Sequence, residues 1–265
     1  MTKALAFVVI AVFMFASCGR EDGNSSRIYG REVDSVVVDT VVPLVSGDKH
    51  PNCELHLALR FFPSLPELND SILSMGMIQP EYLPGAYNKA DTKQLLNAIL
   101  KKCISSYRQQ FTPIFLMDKT NANEYNYSYK VYTETWPGID STVCYLAHTL
   151  IKEGDHQQLL SFVKNFDLRT CSTITADDIF VPGYESALIR LIEKKLMQTF
   201  KANNENELKE KKIFVNCDPY IPDNVMLLKH KIIFIYGQDE IASHDYGEIK
   251  IEFSRKELKD LLKKR

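Results

Sequence analysis

From Cys53 to Phe61 apolar and polar residues alternate. Cys53, Leu55, Leu57, Leu59 and Phe61 fall on one side, Glu54, His56 and Arg60 on the other. That period of two predicts a half-buried strand with His56 and Arg60 turned to solvent. Val33–Val45 is rich in β-branched residues and predicts an extended segment closed by the turn Ser46-Gly47-Asp48. Tyr125, Tyr127, Tyr129 and Val131 alternate with polar residues before a Trp136-Pro137-Gly138 turn, and Val143–Ile151 is extended after it, which predicts an antiparallel pair. A strand so rich in tyrosine is either an aromatic platform for sugars or ordinary sheet packing, and alternation favours packing. Ser161–Leu168 also reads as extended, Val225–Leu228 and Lys231–Tyr236 as a tight hairpin, and Ile249, Ile251 and Phe253 as a last strand.

The pattern changes to a period of three and four after Asp91, where Leu95, Leu96, Ile99, Cys103, Ile104 and Tyr107 make one helical stripe. Leu188, Ile192, Leu196 and Phe200 repeat it within Tyr184–Phe200, and a shorter helix fits around Leu68–Ser74. Thr175–Phe180 reads as a capped helical turn, in which the pair Asp177-Asp178 serves the N-terminus rather than acid–base chemistry. Asn203–Lys212 is charged and reads as a solvated helix end and loop. Ser254-Arg255-Lys256-Glu257 is a capping box that predicts a terminal helix with Leu258, Leu261 and Leu262 inward. Strands joined by hairpin-length connections and interrupted by helices predict an α+β fold with helices packed on an antiparallel sheet, in two similar-sized subdomains. No fixed-period repeat is present.

The first residues read differently from the rest. Lys3 precedes an unbroken apolar run from Ala4 to Ala16, shorter than the roughly 20 residues of a spanning helix, and Phe15-Ala16-Ser17-Cys18 ends it. This is a secretory signal, and its end resembles a bacterial lipobox, cut before Cys18 so that the thiol carries a lipid. Polar Gly19–Ser26 then reads as a mobile tether. The expected organisation is a signal at 1–17, a tether and first strand at 18–50, an N-terminal α+β subdomain at 51–152 and a C-terminal α+β subdomain at 153–265. Glu21-Asp22 resembles an export signal to the outer face of the outer membrane, with periplasm-facing attachment as the other arrangement.

Composition narrows the chemistry. Across 265 residues, 32 Lys and Arg against 34 Asp and Glu leave a net charge of -2, with no basic excess for a phosphate backbone, so nucleic acid is not an expected partner. Cys53, Cys103, Cys144, Cys171 and Cys217 follow Cys18. Their odd number leaves a thiol over in the mature body, their wide spacing selects no disulfide, and it does not suit zinc. No GxSxG, HExxH, P-loop or GxGxxG pattern occurs. His148 and His156 with Asp155 come nearest to a metal-ligand set and read instead as loop and surface residues. No cofactor, metal or catalytic residue is expected.

Asn165-Phe166-Asp167-Leu168-Arg169-Thr170, Thr173-Ile174-Thr175 and Asp177-Asp178-Ile179-Phe180 resemble a segment of the extracellular domain of unknown function of RsiV-type proteins. Phe234-Ile235-Tyr236, Glu240-Ile241-Ala242 and Gly247 have the spacing of that family's C-terminal element, and Pro51-Asn52-Cys53 and Gly154-Asp155-His156 resemble a strand start and a turn in it. The resemblance covers roughly 51–262. Cys171 stands where the family has a turn glycine, Gly237, Gln238 and Asp239 replace Asn, Pro and Tyr, and Ser243 and His244 replace Pro and Tyr. The resemblance implies a two-part α+β domain outside the membrane, which serves RsiV-type anti-sigma factors as a lysozyme receptor and stands beside catalytic domains in some peptidoglycan deacetylases.

These observations together predict a non-catalytic envelope protein, anchored to a membrane through Cys18, that binds a protein or glycan partner. Gly154, Asp155 and His156 of one turn and Tyr236, Glu240, Ile241 and Gly247 of one loop are the candidate contacts. In that loop Glu240 is equally suited to cap backbone groups, and Gly247 to take a positive φ. Two other readings stand beside this one: a glycan-modifying enzyme using Asp155, His156 and Glu240 together, and a purely structural lipoprotein.

Overall fold

In the computed structural model, which describes residues 26–47, 51–85 and 91–264, most of the alternating stretches join one six-stranded sheet. The signal segment, Cys18 and Asp48 lie outside the described residues. A short hairpin of β1 (Arg27–Ile28) and β2 (Arg31–Glu32) leads into β3 (Asp34–Pro43), β4 (Asn52–Phe61), β5 (Tyr127–Pro137), β6 (Thr142–Glu153), β7 (His156–Asp167) and β8 (Thr173–Ile174). The last six lie side by side in chain order, and all pairs are antiparallel except β4 and β5. That parallel pair, from Cys53 opposite Tyr127 to Ala58 opposite Tyr132, was not expected from the alternation. Parallel neighbours cannot be joined by a hairpin, so the chain crosses over through α1 (Pro66–Leu73) and α2 (Thr92–Met117).

Asp91 caps α2 by accepting from Gln94 N at 2.8 Å. The stripe Leu95, Leu96, Ile99, Cys103 and Tyr107 is buried in one core with Leu55, Leu57, Leu59, Tyr129, Val131 and Tyr145 of the sheet. Each fully buried Leu or Ile there contributes about 1.5–3 kcal/mol relative to exposure, so the stripe rather than helix propensity holds α2 in place. Tyr127 and Tyr129 are 5% and 1% exposed and face this core, which settles the tyrosine alternation as sheet packing.

The second half comprises α3 (Ala176–Ile179), α4 (Glu185–Phe200), α5 (Glu205–Glu210), β9 (Asn224–Leu227), β10 (Lys231–Tyr236) and β11 (Ile249–Ser254), with strand order β11-β10-β9. Leu188, Ile192 and Leu196 of α4 share a second core with Phe234, Ile251 and Phe253. A third, smaller cluster joins the halves: Cys144, Leu146 and Val163 on the outer face of the large sheet meet Met226, Leu228 and Ile235. The fold is α+β. No helix among the described residues is long and apolar enough to cross a membrane.

Several expectations are corrected. The Ser254–Glu257 cap forms, with Ser254 N 2.7 Å from Glu257 Oε2, but turns rather than a helix follow it. There Val181 N donates to Leu261 O and Lys263 N to Ile179 O, both at 2.8 Å, and these distant partners replace the intrahelical ladder. Arg60 is 9% exposed rather than solvated, because its guanidinium turns in to Thr135 Oγ1 at 3.1 Å beyond the end of the β4–β5 ladder. Tyr125 ends a 3-10 turn at Ala122–Tyr125 instead of opening the strand. Asn203–Lys212 contains α5, capped by Asn204 and anchored by buried Leu208.

Candidate functional site

Gly154 sits in the tight turn between β6 and β7 with φ +56°, and a β-carbon there would lie 3.0 Å from Glu124 O. Gly154 N donates to Asn126 O at 2.9 Å, and Asn126 Oδ1 accepts from Asn52 N at 3.0 Å. The start of β4, the 3-10 turn before β5 and the β6–β7 hairpin are thus tied together. They wall a cavity of about 470 Å³.

Strand register supplies its floor. Glu54, Ser128, Lys152 and Gln157 lie in one row across four strands, on the sheet face opposite the first core. Asn52, Asn123 and Asn126 add amides to the wall, Lys130 and Asp155 add charge, and Lys130 Nζ lies 3.2 Å from Glu54 Oε2. The side chains of Lys152, Asp155 and Gln157 make no hydrogen bond or ion pair among the described residues. His156 is exposed at the first position of β7, opposite Glu153.

The second candidate loop is held from within. Tyr236 is fully buried and its hydroxyl donates to Tyr220 O. Glu240 accepts from Tyr220 Oη at 2.7 Å and from Gly237 N at 2.5 Å, so it caps the turn. Ile241 is 5% exposed and accepts at its carbonyl from Phe214 N, and Gly247 takes φ +62°. Burial and the neighbouring Glu240 carboxylate raise the Tyr220 hydroxyl above its ordinary pKa. His244 lies between Asp239, at 2.9 Å, and Gln238, at 3.2 Å.

Gln238 Oε1 in turn accepts from Leu159 N at 3.0 Å. The loop is thereby attached to β7 two residues from Gln157 of the cavity. The structure does not link Asp155, His156 and Glu240, since no hydrogen bond or ion pair joins any two of them. Among the described residues no group of three or more His, Cys, Asp and Glu side chains is arranged to hold a metal ion. His148 stands opposite Ser161 in the β6–β7 ladder, five positions from the row of His156, about 17 Å along the strand.

His148 belongs to a cluster that sequence reading missed. Glu248, immediately before β11, has a side chain only 10% exposed; it accepts from Ser161 Oγ, lies 3.3 Å from His148 Nε2, and pairs with Lys250 at 3.0 Å. Burial opposes its ionisation, but the hydrogen bonds from His148 and Ser161 and the Lys250 charge prevail and hold its carboxyl at about 2. Lys250 is a neighbour on β11, but nothing in the spacing around Gly247-Glu248 signals His148 and Ser161, which come from β6 and β7.

Two asparagines close the junction. Asn224 accepts from Val163 N at 2.8 Å and donates to Ser161 O at 2.9 Å, while Asn165 accepts from Leu227 N at 3.0 Å and donates to Val225 O at 2.6 Å. Each carboxamide satisfies one donor and one acceptor on the other half's strand, as a neighbouring strand would.

The chain from α3 to just past β11 is also the part with a recognisable family pattern. Residues 177–256 match the model of DUF3298, a protein of unknown function. The crystal structure of a DUF3298 family member from Bacteroides fragilis NCTC 9343 is similar over 88% of this chain and 94% of that one, with a TM-score of 0.75 and 20% identity. A DUF3298 family protein from Pseudomonas aeruginosa PAO1 gives a TM-score of 0.61 at 17% identity, with 88% and 94% covered. The likeness in fold therefore extends through the first half, beyond the matched DUF3298 segment. Comparison with curated proteins returns no match.

Proposed function

We propose that the protein is a non-catalytic binding module of the cell envelope, held at a membrane by a lipid on Cys18, and that it takes a glycan in the cavity at the β6–β7 hairpin. The carrying observation is the unengaged set Lys152, Asp155 and Gln157 in a pocket also lined by Asn52, Asn123, Asn126 and Ser128 and by the Glu54–Lys130 pair. Sugar hydroxyls both donate and accept, and carboxamides beside charges of both signs meet that demand. Tyr132, on the same face two residues along β5 from Lys130, is 44% exposed and offers a ring for stacking. The lipobox-like end of the signal and the RsiV-type resemblance support an envelope address.

Calorimetric titration with the N-acetylglucosamine trimer and with a soluble muropeptide tests the site. Saturable binding is expected for the native chain, weakened at least about tenfold, or roughly 1.4 kcal/mol, in the D155A/Q157A double variant without a change in melting temperature. Absence of saturation at millimolar sugar, or equal binding by the variant, overturns the glycan reading. Co-elution with a c-type lysozyme in size-exclusion chromatography would move it to a protein ligand. For the anchor, labelled palmitate is expected on the native chain and not on C18A, which should leave the membrane fraction; a C18A chain that stays there overturns the attachment.

A further inference from the structure

Cys53 and Cys103 come from segments that the sequence alone does not connect. Cys53 is the inward residue of β4 between Val42 of β3 and Tyr127 of β5, and is 0% exposed. Cys103 is the central member of the α2 stripe, 1% exposed, in the same core. Tyr107, one turn further along α2, stacks on Tyr127, the β5 residue opposite Cys53, with ring centroids 6.0 Å apart, so the Cys103 turn of the helix lies over Cys53; both are free, buried thiols in this structure. The other described cysteines are placed apart: Cys144 lies on the opposite face of the sheet in the junction cluster, Cys171 at the β7–β8 turn, and Cys217 is exposed.

We infer that Cys53 and Cys103 form a disulfide that fastens α2 to the sheet. A disulfide oxidant such as oxidised glutathione supplies the chemistry. One thiolate attacks a glutathione sulfur and expels a glutathione thiolate, and the second thiol then attacks the mixed disulfide and expels the other. The protein loses two protons and two electrons, and the oxidant leaves as two reduced glutathiones. The neighbouring Cys103 and burial both raise the Cys53 thiol above its ordinary range, so in the folded chain it carries little thiolate and excludes the oxidant. The bond therefore forms during folding.

The full chain is unfolded and refolded in a glutathione redox buffer, free thiols are then blocked with N-ethylmaleimide in denaturant so that buried thiols react, and the digest is read by mass spectrometry. The expected product is a peptide joining Cys53 to Cys103, lighter than the two free peptides by two hydrogens. The oxidised chain should melt about 5–10 °C above the reduced one. In C103A, Cys53 should carry the maleimide and the melting temperature should no longer respond to reductant. Maleimide on both Cys53 and Cys103 in the refolded native chain, or a link from either to another cysteine, overturns the inference.

Discussion

Cys171 occupies a turn with φ +56°, a conformation an L side chain adopts only under strain. C171G is therefore expected to raise stability by about 0.5–1 kcal/mol, read from the urea midpoint; an unchanged or lower midpoint would show that the thiol's packing against the first core outweighs the strain. Glu248 gives a pH signature. Its folded value of about 2 lies below the ordinary 4.5, so its contribution is full above the unfolded value and is lost as pH falls between about 4.5 and 2. E248Q should cost on the order of 2 kcal/mol at pH 7, and its melting curve should converge on the native one towards pH 2. A gap that persists at pH 2 would refute ionisation as the cause. At this scale the sequence disclosed local roles well: Asp178 caps its own turn and Glu240 caps Gly237. It did not disclose Glu248, because every group that stabilises its charge except Lys250 arrives from a distant strand.

The elements most legible beforehand were those whose own periodicity decides them. β4 and β5 alternate, α2 and α4 carry apolar stripes, and the β9–β10 hairpin is closed by a short turn. The parallel β4–β5 pair was hidden because two alternating strands look alike whichever way they run, and the crossover of α1 and α2 alone determines direction. The terminal helix failed for a related reason, since its cap was present but its backbone groups had better partners in the segment at Ile179–Val181. Between elements the decisive groups are the carboxamides of Asn165 and Asn224. N224A strands the N–H of Val163 and the C=O of Ser161, at about 1–3 kcal/mol per buried group. The expected loss is about 2–4 kcal/mol, with N224D falling between because it keeps the acceptor and loses the donor. Denaturant titration decides this, and an N224A chain as stable as the native one would show that the apolar junction suffices alone.

For the whole molecule, two cores share one small apolar junction, and the candidate cavity belongs to the larger sheet. Gly154 and Asp155 were found by a motif, but Asn52, Asn126 and Lys130 come from segments far away in the chain and join them only through the pairing of β4, β5, β6 and β7. The sites of such a fold are legible to the extent that one turn carries them, and this one is carried by three. The clamped junction has a further consequence for the protein's solubility. On the side away from β6, β7 is paired with β8 only at Asn165 and Phe166, and if the second half swings away, Leu159, Ser161 and Val163 present an open edge beside apolar side chains. Such an edge accepts a strand from any chain. Partial opening at the junction, well short of global unfolding, is thus the expected route to self-association, and polar side chains rather than the apolar cores are the barrier against it.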